Sequence, residues 1–305
     1  ARYIAWLDSR TLDGIAHVGG FGDWLNLDDA THADLIDTAQ RILLLGDMAE
    51  MAEALGKDDD ASSFSARREA SIAAFRKRFL TDEGALKDSG QTGYALAFTI
   101  PGILPDQLRD KTADHFARAI ERKNNHLATG FIGTPRLLPA LFNADRTALA
   151  QKLLLTEDYP SWLYQVKLGA TTMWERWDGW TPERGFQDVG MNSFNHYAFG
   201  AVGDALYSRI AGISALEPAY RKILLAPNAS ADLSHAEASY DSASGTIRSA
   251  WRRLEGSGAV AYDFTIPPNT SAEIHLNVPF GAAVTESGTQ YDRVHGVVVL
   301  PNLVP

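Results

Sequence analysis

The hydrophobic periodicity of the chain changes once, and this change limits the fold more than any other feature. In the first part, apolar residues recur every three or four positions, which is the spacing of amphipathic helices. In the last part, apolar and polar residues alternate, as at Val260, Tyr262 and Phe264, and turn sequences separate the runs. The sequence therefore predicts a helical domain over residues 1–216 and a small antiparallel β-sandwich over residues 217–305.

Eight segments of the first part carry the helical pattern, and segments poor in charge alternate with charged ones. A helix that is apolar all round is buried on several sides, whereas a charged amphipathic helix lies at a surface. The alternation predicts inner and outer helices of a barrel of concentric helices, although a plain bundle or an α-solenoid would give a similar pattern. The predicted helices are 31–55, 58–80, 91–104, 106–123, 131–142, 145–156, 161–169 and 192–211.

Charge and composition exclude several classes of function. The 305 residues carry a formal net charge of −10 at pH 7, so the chain repels phosphate backbones and is not expected to bind nucleic acid. The sequence has no cysteine, which excludes disulfides and thiolate chemistry. No apolar run reaches the roughly 18 residues of a membrane-spanning helix, and no membrane partner is expected. The eight histidines lack metal-binding spacing, so neither a metal nor an organic cofactor is predicted.

A tryptophan-rich segment holds the first candidate for chemistry. Trp174, Trp177 and Trp180 lie within seven residues and enclose Glu175. Indole rings stack on the apolar faces of sugars, and hydrolysis of a glycosidic bond needs two carboxyl groups. The alternative is a tryptophan-rich core turn in which Glu175 forms an ion pair with Arg176 or another arginine. The residues by themselves favour neither interpretation.

Three further motifs have both a functional and a structural interpretation. The glycine-rich loop 19–26 contains Asp23 and Trp24, a pair that suits a sugar, but local capping by Asp23 is favoured. His196 lies near an apolar stretch, where a hydrogen-bonded core histidine is more common than a catalyst. The segment 130–135 predicts a loop-to-helix turn, which is favoured over an anion site at the helix start.

Read together and in order, these motifs resemble those of the bacterial α-L-rhamnosidases of glycoside hydrolase family 78. The strongest match is ATTMWERWDGW at 170–180, followed by SFNHYAFG at 193–200. Each motif is weak to moderate by itself, but together they are specific and cover nearly the whole chain. The shorter matching segments are 22–25, 129–135, 159–162, 220–223, 238–242 and 266–270.

The resemblance implies a fold, a reaction and site residues. The fold is an (α/α)6 barrel, incomplete at the N-terminus, followed by the β-domain. The reaction is hydrolysis of terminal α-L-rhamnosides with inversion, so the expected partner is a rhamnose-containing glycoside. By the same resemblance, Glu175 is the general base, Trp24 and His196 line the rhamnose pocket, and Asp23 is a weaker candidate for the pocket. The reaction needs no cofactor.

One departure from the family limits what this chain is expected to do by itself. The acidic, arginine-containing segment that carries the general acid in the family is not found before the Gly-Asp-Trp loop, and twelve helices are expected where the pattern shows eight. The chain therefore resembles the C-terminal part of a longer enzyme, whose missing N-terminal part is an expected partner. The isolated chain is predicted to be inactive or nearly so.

Two alternatives remain open at this stage. The first is another (α/α)6 enzyme, either a different glycosidase or a polysaccharide lyase. The second is a non-catalytic carbohydrate-binding protein that kept the aromatic cleft. The aglycone, the compartment and the oligomeric state, including a homo-oligomer, are left open.

Overall fold

Helices fill the first part of the chain and strands the last part, as the periodicity predicts. The computed structural model describes residues 2–229, 232–278, 283–286, 289–291 and 297–303. It separates the chain into two compact units, residues 1–201 and 202–305. The mainly helical class with C-terminal antiparallel sheets is thereby confirmed. Within the described ranges, no helix combines the length and the apolar character that crossing a membrane requires.

The helices of the first unit differ in burial as their charge predicts. The charge-poor helix α4 buries eight residues, from Gln91 to Phe98, and therefore lies inside the unit. The charged helix α3 buries only one stripe, which includes Ile72, Phe75 and Phe79. The helices are α1 (Arg2–Asp8), α2 (Ala33–Ala54), α3 (Asp58–Phe79), α4 (Gln91–Thr99), α5 (Arg109–Glu121), α6 (Thr134–Asn143), α7 (Thr147–Leu154) and α8 (Trp162–Lys167).

Three predicted helix limits are wrong, each for a local reason. Helix α4 ends at Thr99 instead of residue 104, because Pro101 disfavours helical backbone at the residue before it. Helix α6 begins at Thr134, because the preceding N–H groups bind a carboxylate described below. The predicted helix 192–211 is irregular over 192–197 and becomes helical only at the 3-10 turn Ala198–Ala201. His196 therefore does not lie in a helix.

Short hairpins complete the first unit, and helical turns begin the second. The hairpins pair β1 (Thr11–Leu12) with β2 (Ile15–Ala16), and β3 (Trp180–Thr181) with β4 (Gly185–Phe186). The second unit starts with α9 (Val202–Ala205) and a π-helical turn, Leu206–Ala211. The strands that follow are β5 (Ile213–Ala215), β6 (Lys222–Leu225), β7 (His235–Ser242), β8 (Gly245–Arg253), β9 (Val260–Thr265), β10 (Ser271–Asn277), β11 (Val284–Glu286), β12 (Thr289–Tyr291) and β13 (Val297–Leu303).

The strands of the second unit form one four-stranded sheet and smaller antiparallel sheets. The four-stranded sheet has the order β13-β10-β6-β5, and β7-β8-β9 form a three-stranded meander. Strands β6 and β10 are parallel, so the predicted antiparallel domain contains one parallel pair. The long connection through β7, β8 and β9 permits this, since parallel neighbours need a crossover.

One aliphatic cluster forms the core of the second unit. Ile247 of the meander is buried together with side chains of the four-stranded sheet, so both sheets contribute to the same core. The other buried members are Ile213, Ile223, Leu225, Ala272, Ile274, Leu276 and Val278. Residues 304–305, the end of the predicted β-domain, lie outside the described residues.

Candidate active site

Glu175 lies on a short irregular segment that pairs with the segment carrying His196. The Glu175 N–H donates to the Ser193 carbonyl at 2.9 Å, and the His196 N–H donates to the Met173 carbonyl at 2.8 Å. The Ser193 N–H in turn donates to Oε2 of Glu175 at 2.8 Å. The backbone bonds place Glu175 and His196 on two neighbouring irregular segments. The bond from Ser193 fixes Oε2 of Glu175.

The second carboxylate oxygen of Glu175 remains open. In the part of the chain that the structure describes, no protein donor reaches Oε1, and this atom is not among the fully buried polar atoms that lack a partner. The predicted alternative of an ion pair with Arg176 is wrong, because the Arg176 Nε lies 3.0 Å from Oδ1 of Asp178 instead. Glu175 thus has one oxygen held by backbone and one available to water or a hydroxyl group, in a residue that is only 9% exposed.

The tryptophans around Glu175 are packed inside the protein. Trp177 stacks on Phe199 with ring centroids 4.1 Å apart, and Trp162 meets Trp177 edge-on at 5.4 Å. Trp174 is also buried and contacts Phe194 edge-on. The sequence suggested a sugar-stacking role for this cluster, and the buried rings of Trp174 and Trp177 cannot provide one, whereas Trp180 on β3 is half-buried. The buried rings support the backbone on which Glu175 lies.

Trp24 is the more accessible indole, and Phe131 connects it to His196. Trp24 is 38% exposed on the loop that precedes α2. Its carbonyl accepts the Phe131 N–H at 2.9 Å, and the Phe131 ring lies 4.8 Å from the His196 imidazole. The structure therefore links two of the predicted pocket residues through a residue that the sequence analysis did not single out. Its only signal was its place in the glycine-rich turn 130–135.

His196 is half-buried and has a defined proton position in its neutral form. Its Nδ1 accepts the Ala198 N–H at 3.3 Å, so the proton of the neutral ring lies on Nε2. The imidazole lies between Phe131 and Tyr197, whose ring stacks on it at 5.3 Å. An Nε2–H held in this way can donate to a sugar hydroxyl.

Asp23 is buried at the N-terminus of helix α6. Its Oδ1 accepts the N–H groups of Ile132 at 2.7 Å and Gly133 at 3.0 Å. Its Oδ2 accepts the Gly130 N–H at 2.7 Å and the Thr92 hydroxyl. The sequence favoured local capping by Asp23, and the carboxylate instead binds a helix start more than a hundred residues away. The anion at this helix start is the protein's own carboxylate.

Two further carboxylates, those of Asp37 and Asp29, hold the ends of the loop that carries Trp24. Oδ2 of Asp37 accepts the N–H groups of Val18 at 2.9 Å and Gly19 at 3.0 Å. Burial raises the pKa of Asp37, and these two hydrogen bonds oppose that effect. Asp29 accepts the Gln91 N–H at 2.6 Å and so satisfies the first turn of α4. The loop that carries Trp24 is therefore held at three places by carboxylates.

Comparison with known proteins identifies both parts of the chain. Residues 1–210 match the bacterial alpha-L-rhamnosidase 6 hairpin glycosidase domain, and residues 212–290 match the bacterial alpha-L-rhamnosidase C-terminal domain. An alpha-L-rhamnosidase of Streptomyces avermitilis is 39% identical over 275 residues, and one of Formosa agariphila is 35% identical over 285 residues. These matches cover 89% and 90% of this chain but 26% and 30% of the relatives.

A solved structure gives the same result. The crystal structure of the Streptomyces avermitilis alpha-L-rhamnosidase complexed with L-rhamnose superimposes with a TM-score of 0.90 at 36% identity, covering 97% of this chain and 28% of that one. The chain thus spans between a quarter and a third of the length of these relatives. Because the hairpin glycosidase match alone covers well over half of its residues, the chain belongs to the bacterial α-L-rhamnosidase family.

Proposed function

We propose that this chain is part of an enzyme that hydrolyses terminal α-L-rhamnosides with inversion. The observation that carries the proposal is the Glu175 carboxylate, with Oε2 held by the Ser193 N–H and Oε1 open. Membership of the family supports the substrate class, since the relatives are named alpha-L-rhamnosidases and one was solved with L-rhamnose.

In this mechanism Glu175 is the general base. Its Oε1 takes a proton from a water molecule, the water oxygen attacks the anomeric carbon, and the bond to the glycosidic oxygen breaks. The hydrogen bond from Ser193 keeps the carboxylate oriented while Oε1 faces the water. An inverting site also needs a general acid that protonates the leaving oxygen, with the two carboxyl groups roughly 6.5–9.5 Å apart.

The pocket residues have separate roles in this proposal. The exposed part of the Trp24 indole covers an apolar face of the sugar ring. The His196 Nε2–H donates to a ring hydroxyl, because Nδ1 already accepts from Ala198. Asp23 contributes less directly, since its carboxylate already accepts four protein hydrogen bonds.

The remaining part of the enzyme completes the barrel and supplies the acid. We assign the predicted first domain, residues 1–216, to an (α/α)6 barrel and residues 217–305 to the C-terminal β-domain, except that β5 (Ile213–Ala215) pairs with β6 and therefore belongs to the β-domain. The buried α4 and the amphipathic α3 agree with inner and outer helices. We place the other helices and the general acid in another part of the enzyme, which the greater length of the relatives supports. The isolated chain is expected to show no or almost no hydrolysis.

The test uses a longer protein that contains this chain and an aryl α-L-rhamnoside. Glu175→Gln is expected to lower kcat by about 10²–10⁴, because general acid–base catalysis contributes about that much. Glu53→Gln, which changes an exposed glutamate of α2, is the matched control and should leave kcat unchanged. NMR of the first product anomer checks inversion.

Three results would contradict the proposal. Undiminished kcat in Glu175→Gln would remove the base assignment. Rhamnose binding without turnover by the longer protein would favour a non-catalytic carbohydrate-binding protein. Turnover of a uronate polymer without turnover of a rhamnoside would favour a lyase.

A further inference from the structure

We infer that Asp23 is a positioning residue, which fixes Trp24 and its neighbour Phe131 in place and does not itself contact the sugar. The inference rests on the proposed function only for the role of Trp24 in binding rhamnose. The anchoring itself depends on the geometry of three backbone segments that meet at one carboxylate.

The carboxylate of Asp23 has no acceptor capacity left for a ligand. Each oxygen accepts two hydrogen bonds, three of the four from backbone N–H groups and one from Thr92. A carboxylate offers about four acceptor sites, so all of them are used. Asp23 is 3% exposed, which also keeps a sugar hydroxyl away from it.

The turn 130–133, which Asp23 binds, contacts the backbone of Trp24 directly. A Cβ at Gly130 would lie 2.0 Å from the Trp24 carbonyl oxygen, so only glycine permits this approach. The next residue, Phe131, donates its N–H to the same oxygen. The Asp23 side chain thus binds the turn 130–133, and this turn binds the carbonyl of Trp24. Residues 23–24 and 130–133 therefore hold each other, and we call this arrangement the clamp.

The backbone just after Trp24 requires such a clamp. Leu25 has φ 62°, a left-handed conformation that a branched side chain rarely adopts. Strained backbone of this kind persists only where the surroundings determine it. The Asn26 N–H and its side-chain amide both bind the Asp23 carbonyl, so the loop is closed on either side of Leu25.

The Asp23 carboxylate also influences the position of His196, because the side chain of Phe131 lies between the bound turn and the imidazole. The ring of Phe131 packs on the His196 imidazole at 4.8 Å and meets Phe199 edge-on at 5.4 Å. Because the N–H groups of residues 130, 132 and 133 bind Asp23, the position of Phe131 follows from that of the carboxylate. Asp23 therefore sets the spacing of Trp24 and His196 together.

The first test observes the position of the indole without any activity. The chain is labelled with 5-fluorotryptophan, and the fluorine resonance of Trp24 is identified by its loss in Trp24→Phe. Asp23→Asn keeps the size of the side chain but places an NH2 group against at least one backbone N–H donor, whichever way the amide is turned. The Trp24 resonance is expected to shift or broaden, while that of Trp251 in the second unit stays unchanged.

Two further variants keep this test decisive. If Asp23→Asn does not fold, Thr92→Val removes one of the four hydrogen bonds and should shift the Trp24 resonance less. Asp37→Asn is the matched control, because its carboxylate holds the loop at Val18 and Gly19, outside the clamp. An unchanged Trp24 resonance in folded Asp23→Asn, or in Thr92→Val where that variant is used, would overturn the inference. So would an equal shift in Asp37→Asn.

The second test is a double-mutant cycle on rhamnose affinity in the longer protein. A displacement of about 1 Å in a site can cost on the order of 100-fold in catalytic rate. We expect Asp23→Asn to weaken rhamnose binding as well, because the indole that covers the sugar is displaced. In a Trp24→Ala background the same change should have a several-fold smaller effect, because the indole it positions is gone. An undiminished effect would show that Asp23 does not act through Trp24, which would contradict the inference.

The two tests separate this inference from the proposed function. If the longer protein neither binds rhamnose nor hydrolyses a rhamnoside, the proposed function fails. The fluorine experiment still decides whether Asp23 positions Trp24.

Discussion

Carboxylates around the Trp24 loop of the first unit have different partners from carboxylates on the strands of the second unit, although surface ion pairs such as Lys111–Glu83 also occur in the first unit. In the first unit, Asp23, Asp29 and Asp37 bind backbone N–H groups around the loop that carries Trp24. In the second unit, Glu237 and Glu273 form ion pairs at the surface, with Arg248 and Lys222. The difference follows from the backbone. Strands satisfy one another's N–H groups, whereas an irregular loop at a site needs other acceptors.

This comparison indicates where each unit is sensitive to substitution. The second unit depends on apolar burial in its aliphatic cluster, and its exposed ion pairs contribute little. The first unit depends in addition on close backbone approaches and on buried acceptors. Four substitutions test the distinction, from the largest expected effect to the smallest.

The largest loss is expected in the core of the second unit. Ile274 is 1% exposed, and Ile274→Ala should lower the free energy of unfolding by about 2–5 kcal/mol, because a buried side chain is removed and a cavity remains. Urea denaturation measures the change. Leu216→Ala, at a side chain that is 44% exposed, is the control and should stay within about 0.5 kcal/mol. A loss at Ile274 no larger than in this control would contradict the assignment of the core.

Gly130→Ala should be the most harmful glycine substitution in the first unit. The new Cβ would meet two backbone carbonyl oxygens, those of Trp24 at 2.0 Å and Asp23 at 2.6 Å. Forcing an extra methyl into packed structure costs about 1–3 kcal/mol, and rhamnose affinity should fall with it. Gly203→Ala adds the same methyl where no atom lies within 4 Å and should not destabilise. Equal stability of the two variants, measured by thermal unfolding, would disprove the close approach.

A smaller loss is expected at the start of α4. Asp29→Ala removes the acceptor of the Gln91 N–H and should cost about 0.5–2 kcal/mol, the usual range for a lost helix cap. Asp29→Asn keeps an acceptor oxygen and should recover most of this loss. If both variants are equally destabilised in urea, the hydrogen bond is not the reason for the loss.

The smallest effect is expected at the half-buried pair of Lys222 and Glu273 in the second unit, and it depends on pH. The hydrogen bond from Lys222 lowers the pKa of Glu273 from its ordinary value of 4.5. Glu273 therefore binds its proton less tightly in the folded state than in the unfolded state. The stabilisation by the pair is present above pH 4.5 and is lost as the pH falls through the lowered pKa of Glu273.

The comparison of variants isolates this contribution. The melting temperature of the unchanged chain should rise from pH 3 to pH 6, and Glu273→Gln should make this rise smaller. Glu255→Gln, at an exposed glutamate, should leave the rise as it is in the unchanged chain. A pH profile of Glu273→Gln identical to that of the unchanged chain would show that the pair contributes nothing.

Much of the fold could be predicted because it depends on local periodicity. Alternation at Val260 and Phe264 predicts β9, and the apolar composition of α4 predicts its burial. The helix predicted over 192–211 failed at its start, because residues 193 and 196 form backbone hydrogen bonds with residues 173 and 175. No local pattern in the sequence reports such a contact.

By itself, the sequence determined the order of helical and β regions, the family, and the residue types available for chemistry. Tertiary structure alone decided what those residues do. Asp23 and Glu175 are both carboxylates beside tryptophans, yet one is saturated by distant N–H groups and the other keeps an open oxygen. The reason is physical: a carboxylate's role depends on which donors the fold brings within about 3 Å, and those donors come from segments far apart in the chain.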